Sequence, residues 1–204
     1  MDGERAAVRV GVFGGTFDPV HVGHLAIGNA ALESVPLDRV VFVLARRAPL
    51  KERRPVASEA DRLAMLELAV AGEPRFSVSR VELDREGPSY TVDTLERLTG
   101  PDDLFLILGG DAIADFPRWK DTDRIAELAT LVVAERPGAP ERAGNAPNTS
   151  IVVFDAPRLD ISSRELRARA ARGRSLRYLV PDPVWRHIEA RGLYRAEGPS
   201  SGTT

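Results

Sequence analysis

The stretch AVRVGVFGGTFDPVHVGHLAIGNAALESV, residues 7–35, decides the fold. It opens with an apolar run over residues 7–13, which is typical of a strand buried on both faces of a parallel sheet. The glycines Gly14 and Gly15 follow as a turn, and helical spacing of apolar residues begins at His24. A buried strand that passes through a tight turn into a helix predicts the start of an α/β sheet.

The same alternation continues along the chain. Further strands are predicted at residues 39–45, 76–81, 104–109, 131–135 and 151–155. Helical patterns are found at residues 24–35, 58–72, 89–100, 121–129, 162–173 and 182–192. We therefore predict an α/β fold: a Rossmann-like, doubly wound parallel sheet with helices on both faces and a small C-terminal helical segment.

Several boundaries can be predicted as well. Ser58, followed by Asp61 three residues later, is typical of a helix start, and Gly72 and Gly100 are expected to cap helix C-termini. We expect one domain over residues 1–194, in which residues 161–194 form the C-terminal helical part. The stretch 136–149, rich in Pro, Gly and Ala, is expected to be a loop, and residues 195–204 a disordered tail.

Composition excludes several classes of function. The formal net charge of −2 argues against a protein that coats nucleic acid or a membrane surface. The absence of cysteine excludes disulfides, zinc fingers and thiol catalysis. The N-terminus lacks the apolar core of a signal peptide, and no apolar run approaches the ~20 residues of a membrane helix. We therefore expect a cytoplasmic protein.

The turn after the first strand has the chemistry of a phosphate site. Gly14 and Gly15 permit close backbone approach to a ligand, and the helix that follows presents free N–H groups. Of the three histidines in the chain, His21 and His24 lie in the first helical turn and on one face of it. They could be partly buried helix residues, metal ligands completed by Asp18, or groups that hold phosphate, and the third interpretation is favoured by their position.

The segment GGTFDPVHVGHL resembles the phosphate-binding signature of the nucleotidylyltransferase superfamily, whose core is [T/H]-x-G-H. The form GGTFDP is similar to that of the bacterial nicotinate mononucleotide adenylyltransferase family. The resemblance implies an ATP site that includes Gly14, Gly15, Thr16, Phe17, His21 and His24.

The segment ISSRELR, residues 161–167, resembles the second nucleotide motif of the superfamily. Serines at a helix start can cap it or donate to phosphate, and an arginine one turn later can reach the terminal phosphates of a nucleotide. The resemblance adds Ile161, Ser162, Ser163 and Arg167 to the ATP site. Arg164 departs from the pattern, which usually has a small hydroxyl residue there, and its role is left open.

Three further segments resemble the family. In GPSYTVDTL, residues 87–95, the resemblance assigns Tyr90 and Thr91 to the mononucleotide. In GGDAIADFPRW, residues 109–119, it assigns Asp111 to an adenosine ribose hydroxyl and Trp119 to stacking on the pyridine ring.

The third segment is LARRAPLKERR, residues 44–54, where Lys51 occupies the position of a lysine that contacts the mononucleotide phosphate. Ala45 and Leu50 depart from the family pattern there, so the conformation of the loop is left open. The alternative is that this segment is an ordinary solvated basic loop.

The implied reaction is transfer of AMP from ATP to nicotinate mononucleotide, with His21, His24 and Arg167 as catalytic residues. Mg²⁺ is expected to be carried by the ATP phosphates, and no metal site built by the protein is predicted. The alternatives are another small-molecule nucleotidylyltransferase, such as a pantetheine-phosphate adenylyltransferase or a cytidylyltransferase, and a non-catalytic nucleotide sensor on the same fold. The preference between nicotinate and nicotinamide mononucleotide and the formation of a homo-oligomer are left open.

Overall fold

The strands of the described chain lie side by side in one parallel sheet. The structure is a computed structural model that describes residues 7–47, 54–85, 87–135 and 150–196, with only the backbone described at residues 110, 111 and 135. The strands are β1 (Arg9–Gly15), β2 (Arg39–Leu44), β3 (Phe76–Ser79), β4 (Asp103–Gly109), β5 (Ala129–Glu135) and β6 (Ile151–Asp155). Their spatial order is β3-β2-β1-β4-β5-β6, and each neighbouring pair is parallel.

Helices connect the strands and cover the sheet. They are α1 (Val22–Ser34), α2 (Glu59–Val70), α3 (Thr91–Leu98), α4 (Gly110–Asp115), α5 (Thr122–Leu128), α6 (Ser163–Ala171) and α7 (Asp182–Arg191). No described helix is both long and apolar enough to span a membrane. The strand order confirms the predicted doubly wound fold, and it reverses between β1 and β4, where such sheets bind ligands at the carboxyl ends of their strands.

The core has two layers because successive residues of a buried strand point to opposite faces of the sheet. On β2, Phe42 and Leu44 pack into the layer that includes residues of α1, α2, α6 and α7. Val41 and Val43 pack into the layer that includes residues of α3, α4 and α5. All four side chains are at most 8% exposed, which explains why the strand reads as a continuous apolar run.

All of the predicted strands are confirmed, whereas two of the helix-end predictions are wrong. Ser58 caps α2 as expected, since its Oγ accepts from the Asp61 N–H at 3.0 Å. Gly72 and Gly100, however, are not left-handed C-caps: α2 ends at a right-handed Ala71. At the end of α3, Thr99 caps with extended backbone, and its N–H and hydroxyl both donate to the Leu95 carbonyl at 2.8 Å.

The helix α4 and the 3-10 turn that follows it, Phe116–Arg118, were not predicted. Helix α4 begins at Gly110, directly after Gly109, and the turn contains Pro117, and such residues usually interrupt a helical pattern. The predicted loop at 136–149 and most of the predicted tail, residues 197–204, lie outside the described residues.

Candidate active site

The two glycines at the end of β1 have different roles. A Cβ added at Gly15 would lie 2.7 Å from the Phe17 ring, whereas one added at Gly14 would meet no described atom within 4 Å. Gly14 is exposed in the described chain. Gly15 is therefore required by the packing of the turn itself, and Gly14 is the glycine whose backbone is open to a ligand.

Phe17 packs in the core behind the histidines of the motif. Its backbone is left-handed, with φ 46°, and its side chain is 2% exposed. The ring packs edge-on against the His24 ring, with 5.0 Å between centroids, and also against Phe13 at 6.1 Å. The Phe17 side chain therefore does not face a ligand in this conformation, and its ring packs behind the His24 ring.

The two histidines of the motif stack on each other at the start of α1. Their ring centroids are 3.7 Å apart and the planes differ by 28°. The His21 N–H donates to Nδ1 of His24 at 3.2 Å. Because Nδ1 accepts this bond, the neutral His24 ring carries its proton on Nε2, which is a hydrogen-bond donor.

Burial keeps His21 neutral. The residue is 6% exposed, and the loss of hydration lowers the pKa of its imidazole to about 4. Its Nδ1 is buried without a hydrogen-bond partner among the described residues. His21 is therefore neutral at neutral pH. Within the described part of the chain, no three His, Asp or Glu side chains converge as a metal site would require.

The second motif meets the first at the loop between β1 and α1. Arg167 donates from Nη1 to the Asp18 carbonyl at 2.6 Å, and the same nitrogen lies 3.6 Å from the Asp18 carboxylate. Ser163 donates to the Pro19 carbonyl at 3.0 Å. Ser162 caps α6, because its Oγ accepts from the Glu165 N–H at 3.2 Å and donates to the Glu165 carboxylate at 2.9 Å.

The remaining residues of this motif differ in exposure. Ile161 precedes α6 and is half-buried, whereas Arg164 is exposed. The structure therefore brings Arg167 and Ser163 onto the loop that precedes His21, and it places Ser162 at the helix start as a cap.

Asp18 organises this region, although the sequence indicates only a turn at Asp18-Pro19. Its side chain is 3% exposed. The carboxylate accepts from the N–H groups of Val56 and Ala57 at 2.8 and 3.1 Å. It also accepts from the Tyr194 hydroxyl at 2.9 Å. A buried carboxylate with this many donors ties separate segments of the chain together.

The residues predicted to hold the mononucleotide lie on the opposite layer. Tyr90 precedes α3, Thr91 is its first residue, and both are half-buried. The half-buried Trp119 ends the 3-10 turn and packs against Phe116, with 5.6 Å between ring centroids. The adjacent Lys120 lies 4.9 Å above the Tyr90 ring, which brings the turn of Trp119 beside the start of α3.

The remaining predicted positions are Thr16, Asp111 and Lys51. Thr16 is half-buried, and its carbonyl accepts from Arg62 at 2.8 Å. The Asp111 backbone lies in the first turn of α4, directly after β4. Lys51 and Leu50 lie outside the described residues.

Comparisons with known proteins identify the family. Residues 12–169 match the cytidylyltransferase-like family model. The chain is 50% identical over 194 residues to "Probable nicotinate-nucleotide adenylyltransferase" of Roseiflexus sp. (strain RS-1), and the match covers 91% of this chain and 98% of that protein. It is 51% identical to the protein of the same name from Thermus thermophilus, with 92% and 100% covered.

A solved structure shows the same fold at low sequence identity. It is the Plasmodium falciparum nicotinic acid mononucleotide adenylyltransferase complexed with NaAD, with a TM-score of 0.75 and 17% identity. That match covers 92% of this chain and 97% of the other. With the family model over most of the chain and relatives at about half identity, the chain belongs to the nicotinate-nucleotide adenylyltransferase family of cytidylyltransferase-like proteins.

Proposed function

We propose that this protein transfers AMP from ATP to nicotinate mononucleotide, which yields nicotinate adenine dinucleotide and pyrophosphate, a step of NAD biosynthesis. The observation that carries the proposal is the stacked pair His21 and His24 at the start of α1, beside the point where the strand order reverses. The relatives at about 50% identity bear the name of this activity over nearly their whole length.

The chemistry requires positioning more than proton transfer. An oxygen of the mononucleotide 5′-phosphate attacks the α-phosphorus of ATP and forms a new P–O bond. The bond from the α-phosphorus to the bridging oxygen breaks, and its electron pair leaves with pyrophosphate. The nucleophile is already an anion, so no general base is needed, and catalysis consists of alignment and stabilisation of charge.

We assign the ATP side of the site to the two nucleotide motifs. The imidazoles hold phosphate oxygens by N–H donation, with Nε2 of His24 as the donor that its Nδ1 contact defines. The exposed Gly14 backbone and Thr16 approach the phosphates. Arg167, which the Asp18 carbonyl holds at the loop, stabilises the departing pyrophosphate. Ser162 caps the start of α6, Ser163 joins that helix start to the Pro19 carbonyl, and Asp111 contacts the ribose.

We assign the acceptor to the layer of α3. Tyr90 and Thr91 contact the mononucleotide, Trp119 stacks on its pyridine ring, and Lys51 contacts its phosphate. The bridge of Lys120 to the Tyr90 ring supports this assignment, because it joins the two segments that would face the same ring. Mg²⁺ enters with ATP and neutralises phosphate charge, since this ion is commonly held through substrate phosphates and water.

An acceptor panel tests the reaction. The protein is incubated with ATP, Mg²⁺ and one of nicotinate mononucleotide, nicotinamide mononucleotide or phosphopantetheine, and pyrophosphate release is measured. We expect release with the pyridine mononucleotides and the fastest release with nicotinate mononucleotide. Release with phosphopantetheine alone, or none with any acceptor, would contradict the proposal.

A substitution tests the assignment of the histidines. We expect His24→Ala to lower kcat by about 10²–10³-fold, the effect of removing one donor to a developing charge. His187→Ala is the matched control, since His187 contacts Asp61 on α2 and lies outside the motif. A His24→Ala protein with near-normal kcat would exclude His24 from the phosphate site.

A further inference from the structure

A fully buried arginine joins the two loops that carry the proposed substrate sites. Arg62 lies on α2 and is 1% exposed. Its Nη1 donates to the Thr16 carbonyl at 2.8 Å, in the ATP motif, and to the Ala45 carbonyl at 2.7 Å, directly after β2. Its Nη2 donates to the Arg46 carbonyl at 3.5 Å. One guanidinium therefore holds both loops at the carboxyl ends of neighbouring strands.

The position of this charge is costly for the fold. Burial lowers the pKa of Arg62, while the charges of Asp18 and Glu59 act in the opposite direction, and the guanidinium stays protonated. Its Nε has no hydrogen-bond partner among the described residues. The next residues on the same helix face, Met65 and Leu66, are buried and apolar. An apolar side chain would fill such a position without burying a cation, so packing alone does not account for arginine here.

The connection continues from the loop after β2 to the start of α3. Ser89 Oγ accepts from the N–H groups of Arg46 and Arg47 at 3.2 and 3.4 Å. The Ser89 N–H donates to the Arg47 carbonyl at 2.9 Å, and Tyr90 is the next residue. The Ala45 N–H also donates directly to the Gly15 carbonyl at 2.8 Å, which links the same two segments without Arg62. A continuous set of hydrogen bonds thus runs from the ATP motif to the acceptor segment.

We propose that Arg62 is a positioning residue that fixes the ATP loop, the turn after β1 at Thr16, relative to the acceptor loop, the segment after β2 at Ala45 and Arg46, and so couples the binding of the two substrates. The inference rests on the proposed function, because it assigns a substrate to each loop. An in-line attack requires the acceptor phosphate and the α-phosphorus to be aligned within a fraction of an ångström. A shift of about 1 Å between loops is enough to lower a rate by about 100-fold.

Three variants test this role. Arg62→Met removes the contacts to the carbonyls of Thr16, Ala45 and Arg46 and keeps an apolar stem. Arg62→Lys retains one nitrogen, and a single nitrogen serves Thr16 and Ala45 in the structure, so it can restore part of the link. Leu66→Ala is the control, since it creates a cavity one turn away on the same helix and removes no hydrogen bond to either loop.

For each variant, kcat, the KM of each substrate and the melting temperature are measured. In addition, the Kd of nicotinate mononucleotide is measured with and without a non-hydrolysable ATP analogue. We expect Arg62→Met to lower kcat about 100-fold and to abolish the effect of the analogue on that Kd. Arg62→Lys should recover at least part of both, and Leu66→Ala should lower the melting temperature while keeping kcat and the coupling.

Two results would overturn the positioning role: an Arg62→Met protein that keeps the kcat and coupling of Leu66→Ala, or an Arg62→Lys protein no better than Arg62→Met. If Arg62→Met does not fold, the Arg62→Lys protein tests the proposal. We then expect its kcat to be about 10-fold below that of the wild type. An Arg62→Lys protein with wild-type kcat and wild-type coupling would contradict the proposal. Failure of the proposed function itself would be visible separately, as absence of adenylyl transfer by the wild-type protein.

Discussion

The buried His21 makes the stability of the fold sensitive to mild acid. In the folded protein the pKa of His21 is lowered from 6.5 to about 4 because burial removes water from the charged ring. The unfolded chain therefore binds a proton below pH 6.5 that the folded chain does not bind until about pH 4. The neutral, buried His21 therefore contributes fully to folding stability above pH 6.5, and this contribution is lost as the pH falls from 6.5 to about 4.

The magnitude follows from the size of the shift. Each pKa unit corresponds to about 1.4 kcal/mol, so a shift from 6.5 to about 4 costs about 3 kcal/mol of folding free energy by pH 4. Urea unfolding, followed by tryptophan fluorescence at half-unit steps from about pH 4 to about pH 7, measures this loss. We compare wild type with His21→Gln, which has no titrating ring, and expect the difference in unfolding free energy to change by about 3 kcal/mol across the window.

The comparison separates titration from packing. The cost of replacing the ring is seen at neutral pH, where neither protein is protonated at this position, and only the change of the difference with pH reports on His21. Parallel pH profiles for the two proteins would refute the reasoning, since they would mean that His21 titrates alike in the folded and unfolded chains.

Three further substitutions test the geometry around the motif. Gly15→Ala places a Cβ 2.7 Å from the Phe17 ring and should lower the free energy of unfolding by about 1–3 kcal/mol. Gly14→Ala places its Cβ in open space and should raise the KM of ATP with little change in stability. Equal destabilisation of the two variants in chemical denaturation would contradict these different roles of the two glycines. Tyr194→Phe removes the hydroxyl that donates to the buried Asp18 carboxylate and should cost about 1.5–3 kcal/mol in thermal and urea unfolding, and an unchanged stability would argue against Asp18 as a structural centre.

Much of the fold was predictable because the strands are buried on both faces. Runs such as residues 39–45 are almost entirely apolar, and the structure places alternate side chains of β2 in two separate core layers. Local capping was predictable where it depends on one side chain, as at Ser58. The ends of α2 and α3 were not, since a backbone hydrogen bond or a threonine hydroxyl can replace the glycine that sequence rules expect there.

The candidate site was predictable where motif residues act through their own position. His21 and His24 are three residues apart, so any helix brings them onto one face, and the structure stacks them. The neutral state of His21 was not predictable, because it depends on burial by residues distant in sequence. Phe17 was expected at the ligand, but a left-handed backbone at this residue turns its ring into the core.

The buried polar residues that organise the site require tertiary structure to be recognised. Asp18 looks like part of a common turn until Val56, Ala57 and Tyr194 are seen to donate to it. Arg62 had a detectable signal, since it precedes the buried Met65 and Leu66 by three and four residues and so falls on the apolar face of α2. An arginine at an apolar position of a helical pattern is therefore a useful indicator of a buried role.

The central claim is that AMP passes from ATP to a pyridine mononucleotide by attack at the α-phosphorus. Its most direct test is a reaction with ATP labelled at the α-phosphorus, Mg²⁺ and nicotinate mononucleotide, with the labelled products separated by chromatography. We predict that the label appears in the dinucleotide in equal molar amount to the pyrophosphate released. Label recovered in free AMP, or retained in ADP while inorganic phosphate is released, would contradict the account.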